Sequence, residues 1–72
     1  MNIKYLNKLL DSVENHVSVL KDDHRDRLVA YLELHRPFDD FIDYLEHLFD
    51  VYVDKSAQKK LEPRYKKLVE NS

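Results

Sequence analysis

Apolar residues recur every three or four positions through most of this chain, which is the period of helices buried on one side. In the first stretch, Ile3, Leu6, Leu10, Val13, Val17 and Leu20 form a stripe of a/d type, widened by Leu9. It predicts a helix over residues 2–20. A second helix is expected over 23–36, capped at Asp22 or Asp23, with Leu28, Val29, Tyr31, Leu32 and His35 on its apolar side. Pro37 should end that helix at or before Arg36, with a kinked continuation as the alternative.

The third segment, residues 38–53, has the sharpest pattern. At 100° per residue, Phe38, Phe41, Ile42, Leu45, Leu48, Phe49 and Tyr52 share an arc of roughly 120°. Asp39, Asp40, Asp43, Glu46 and Asp50 occupy an opposing arc. Tyr44 and Val51 fall just outside the apolar arc, beside Asp40 and His47, as a short apolar strip. The β-branched run around Val51 and Val53 predicts a break. A fourth helix is expected over 56–70, capped by Asp54 or Ser56 and interrupted at Pro63, which can open a last turn. Residues 71 and 72 should fray. The fold class is therefore all-α: one small domain, residues 1–72, with three main helices and a short proline-interrupted C-terminal helix.

Charge divides the C-terminal half. Residues 37–54 hold six acids and no lysine or arginine, whereas residues 55–72 hold six cations against Glu62 and Glu70. The first 36 residues balance, so the net charge of -2 conceals this polarity. Seventy-two residues bury only a modest core, and self-association is one remedy. A homodimer through the stripe of the first helix is the form it would take. Cysteine and glycine are both absent. That removes disulfides, thiolate metal sites and glycine-built phosphate loops, and it makes turns at positive φ costly. The N-terminal residues lack the apolar core of a secretory leader. No apolar run approaches a membrane span, so the expected setting is cytoplasmic.

Catalytic chemistry has no obvious foothold. The serines lie in no nucleophile context, and a helical domain this small rarely encloses the pocket that shifts a catalytic pKa. His16, His24, His35 and His47 are spread too widely for helical metal-ligand spacing, and Asp43 with His47 reads as a simple ion pair. No enzyme activity, cofactor or metal is expected.

The acidic arc reads either as a solvated face, as charge neutralised by the basic segment folding over it, or as a docking surface. The docking reading makes the chain a non-enzymatic inhibitor or regulator. It would set Asp39, Asp40, Asp43, Tyr44, Glu46, His47, Asp50 and Val51 on a basic surface of a larger partner; if that surface normally holds nucleic acid, the outcome is inhibition by charge mimicry. Small inhibitors encoded by phages and mobile elements, anti-CRISPR proteins among them, share this size and acidity, an analogy of size and charge alone. Two alternatives stand beside it. One is a dimeric DNA- or RNA-binding regulator using Lys59, Lys60, Arg64, Tyr65, Lys66 and Lys67. The other is an oligomeric assembly subunit.

Overall fold

A computed structural model describes residues 1–71 as four helices: α1 (Ile3–His16), α2 (Asp22–Leu32), α3 (Phe38–Phe49) and α4 (Lys55–Glu70). The expected fraying at Ser72 lies outside the described residues. Among those residues no helix is long and apolar enough to cross a membrane.

α1 begins where Asn2 accepts hydrogen bonds from the backbone N–H groups of Lys4 (2.9 Å) and Tyr5 (3.4 Å). It ends at His16, four residues short of expectation. The sequence Val17-Ser18-Val19 is poor helix former, and Glu14 offers the chain another course by accepting from the Leu20 N–H at 3.3 Å. Leu20 still reaches the core, but from the connector. Leu6, Leu9, Leu10 and Val13 are buried within the single chain, so its own core uses the stripe that a helix-1 dimer would need.

Asp22 and Asp23 lie in the first turn of α2 rather than capping it, and their charges suit its positive end. The N–H of Lys21 instead donates to Nδ1 of His24. The helix stops at Leu32, and the chain reverses through His35 at a left-handed φ of 52°. α2 and α3 are thus separate, and His35 is an exposed turn residue rather than part of the apolar side. Without glycine, the two left-handed positions fall to His35 and Asp50, polar types that tolerate that region better than most.

α3 buries Phe41, Ile42 and Leu45, as its apolar arc requires. It ends at Asp50, with φ 53° and ψ 50°, where the Val51 N–H donates to the Glu46 carbonyl at 3.2 Å. Tyr52 therefore leaves the helical arc and stands 79% exposed, while Val53 turns inward. Both backbone groups of Val53 are met by side chains. Its N–H donates to Glu46 Oε2 (2.8 Å), and its carbonyl accepts from Gln58 Nε2 (2.8 Å).

Asp54 caps α4 by accepting from the Ala57 N–H at 2.8 Å. The helix then runs 16 residues through Pro63, the longest of the four described, so the expected short and interrupted element is corrected. A proline inside a helix costs about 3 kcal/mol. Leu61 and Leu68, buried on either side of it, each contribute about 1.5–3 kcal/mol. Pro63 itself faces solvent, as does Lys59, whose carbonyl loses its usual donor. α4 packs most extensively on α1 and less on α3. Its Tyr65 hydroxyl donates to the carbonyl of Arg36, tying α4 to the α2–α3 turn.

Candidate functional site

The acids of residues 37–54 fall into two groups. Glu46 and Asp54 hold the α3–α4 connector through the backbone N–H groups of Val53 and Ala57. Asp40 pairs with Arg36 at 3.2 Å, one turn away across Pro37. Asp39, Asp43 and Asp50 remain exposed and make no side-chain ion pair among the described residues. The acidic run is therefore half structural, and Glu46 belongs to the fold rather than to a docking face.

The apolar part of this surface also differs from the helical-wheel expectation. Val51 lies beyond the left-handed end of α3, so it does not continue a strip with Tyr44. Tyr44 instead stacks on Tyr31 of α2, with ring centroids 4.3 Å apart and planes within 8°. The two rings line a shallow, open depression with Arg36, Asp40, Asp43 and His47. Tyr31 also touches Phe41, which stacks on Tyr65 at 4.7 Å, so aromatic contacts run from this surface into the core. Burial, reinforced by the Asp40 carboxylate, raises the Tyr31 phenol above its ordinary pKa of 10.0. The hydroxyl is thus a neutral donor at physiological pH.

His47 does not form the expected ion pair with the Asp43 carboxylate. Its Nδ1 lies 2.9 Å from the Asp43 backbone carbonyl, which suits the tautomer that donates there. The other histidines are scattered. His24 meets Phe49 edge-on at 4.7 Å, His16 lines a groove beside α4, and His35 sits in the α2–α3 turn. Among the described residues no three histidine or carboxylate side chains converge as a metal site.

The basic segment does not fold over the acids of α3: no cation of α4 lies in an ion pair with them among the described residues. Lys59, Lys60, Arg64 and Lys67, all exposed, instead line an open groove that α4 shares with α1. Lys66 turns elsewhere and pairs with Glu62 at 3.5 Å. Tyr65, expected to offer a ring for a base, is 3% exposed and packed against Phe38 and Phe41. It has no free face for stacking, so it leaves the nucleic-acid set as Glu46 leaves the docking set.

Sequence reasoning missed Tyr31 as the partner of Tyr44, although it placed Tyr31 on the apolar side of its helix. It also missed the inward turn of Glu46, for which a signal existed: on the helical wheel Glu46 lies only about 40° from Ile42, at the edge of the apolar arc. Comparison of the chain with protein-family models, with curated proteins and with solved structures finds no match, so its surfaces are the basis for reading its function.

Proposed function

We propose that the chain is a non-enzymatic protein-binding module that docks the α2–α3 face onto a basic surface of a larger partner. The observation that carries this reading is the stacked Tyr31–Tyr44 pair in an open depression, flanked by Asp43, which makes no ion pair among the described residues. Aromatic side chains held rigid by stacking lose little entropy on binding, and tyrosine is enriched among residues that dominate interface energies. Asp43 supplies negative charge beside that anchor, and Asp39 and Asp50, exposed elsewhere on the same element, add to the field that steers a basic partner. Where the basic surface normally holds nucleic acid, occupying it would inhibit the partner by charge mimicry.

The test is affinity capture from nuclease-treated lysate of the native host, comparing the natural chain with Asp39→Lys/Asp43→Lys and with Tyr44→Ala. Glu46 is left intact so that the fold is preserved. The reading expects one stoichiometric protein partner, lost with both variants while their helical circular dichroism is unchanged. Equal capture by all three chains would overturn it.

A further inference from the structure

We propose that the groove between α1 and α4 binds the phosphate backbone of single-stranded nucleic acid. This site shares no residue with the Tyr31–Tyr44 depression. The groove is open, with a volume of about 840 Å³. Lys67 lies over the ring of Tyr5 at 5.7 Å, which sets the end of α4 beside the start of α1. The lining continues to His16 at the far end of α1 and Lys59 near the start of α4, so the helices run in opposite directions.

Five cations, Lys8, Lys59, Lys60, Arg64 and Lys67, line this groove, with Asp11 as its one acid. Lys8 comes from one wall and the others from the facing wall, so a ligand lying between them is held from both sides. Among the described residues, Lys8, Lys59, Lys60 and Arg64 make no ion pair. Shortage of acids is not the reason, because the chain has 14 acidic residues to 12 basic ones. With Asp11 as the one acid among them, the cations carry a net positive charge that an anionic ligand or counterions would relieve.

The geometry selects a strand. Lys60 and Lys67 are seven residues apart on one helix, or roughly 10 Å at 1.5 Å per residue. That separation spans more than one phosphate. The cations follow an open groove between two packed helices, a course that a flexible single strand takes more readily than a stiff duplex. By residue type the lining is dominated by cationic and other polar side chains, with the rings of Tyr5, His16 and Pro63 between them. Five cations against one acid call first for charge neutralisation, which a phosphate backbone supplies at regular spacing along its length. Lysine suits such contacts as a mobile point charge, and the groove offers no rigid set of groups to read base edges. Binding should therefore be insensitive to sequence. The net charge of -2 does not oppose it strongly, because exposed charges are screened over a Debye length of about 8 Å at physiological ionic strength.

The experiment is fluorescence anisotropy of labelled oligo(U) and oligo(dT) with the full chain, titrated over salt. Neutralising four to five phosphates predicts a slope of about -3 in log K against log salt, or roughly 60-fold weaker binding at 200 mM than at 50 mM. Lys8→Gln/Arg64→Gln should reduce the slope by about 1.4. Lys66→Gln, outside the groove, should leave it unchanged. Both variants should retain the natural helical circular dichroism. Absence of binding at low salt would overturn the proposal, as would a slope indifferent to Lys8 and Arg64. Equal affinity for polyglutamate or for duplex DNA would do the same. So would self-association that appears at low salt and disappears with the groove variant. None of these outcomes involves Tyr44 or Asp43, so the two surfaces stand or fall separately.

Discussion

Replacing Glu46 with alanine should destabilise the protein far more than removing any exposed acid of the same helix. Val53 is 1% exposed, and its N–H donates to the Glu46 carboxylate at 2.8 Å. Without that acceptor, a donor next to a buried side chain is left unmet, at a cost of about 1–3 kcal/mol. A value near 2 kcal/mol is large for a chain whose total stability should be roughly 4–11 kcal/mol at 0.05–0.15 per residue. In a domain of this size each kcal/mol moves Tm by about 4–8 °C, so Glu46→Ala should lower it by roughly 8–16 °C. Glu46→Gln keeps an acceptor oxygen and should lose less than half as much. Asp43→Ala, on the exposed side, should stay within about 0.5 kcal/mol of the natural chain. Thermal and urea melts followed by circular dichroism measure all three. If Glu46→Ala and Asp43→Ala melt together, the division of the acidic run into structural and exposed halves is wrong.

Other consequences can be measured on the same instrument. Asp50 holds a left-handed conformation that glycine adopts without a Cβ clash, so Asp50→Gly should stabilise by about 1 kcal/mol. Equal or lower stability in a urea melt would remove strain from the account of how α3 ends. Pro63→Ala, at an exposed site, should restore a helical hydrogen bond to Lys59 and raise stability by roughly 2 kcal/mol, the helix penalty less the entropy that proline removes from the unfolded chain. An unchanged Tm would show that α4 accommodates the ring without cost. Burial raises the pKa of Tyr65, and burial with the nearby Asp40 raises that of Tyr31. Their unfolded phenols ionise first as pH rises, so stability is fully present below about pH 10 and is lost as pH climbs through the higher folded values. Tyr65→Phe should be less stable at neutral pH but flatter with pH above 10, and an identical alkaline slope would contradict the assignment.

Much of this architecture is legible in the sequence because burial follows period. Phe41, Ile42 and Leu45 sit where the arc of the third helix puts them, and the helical class follows from four such stretches. Helix ends are less legible. Periodicity continues through Val17 and Leu20 although the backbone leaves the helix at His16, because Leu20 packs from a connector secured by Glu14. Pro63 illustrates the opposite failure: a strong local rule is outweighed by the burial of Leu61, Tyr65 and Leu68. The surfaces depend on which helices meet. Nothing local to Lys8 places it opposite Arg64, and nothing local to Tyr31 places it on Tyr44. The charge polarity of residues 37–72 is plain in the sequence, but its division between cap, connector and free surface depends on the hydrogen bonds of Glu46 and Asp54.

The central claim is that the Tyr31–Tyr44 face meets a protein partner. The most direct measurement replaces Tyr44 with a photoreactive phenylalanine analogue, irradiates cells of the native host, and looks for covalent adducts. Tyr52, 79% exposed but outside the depression, serves as the control position. The account predicts one discrete protein adduct from position 44, abolished by Asp43→Lys and absent from position 52. No adduct at 44, or the same adduct from both positions, would contradict it.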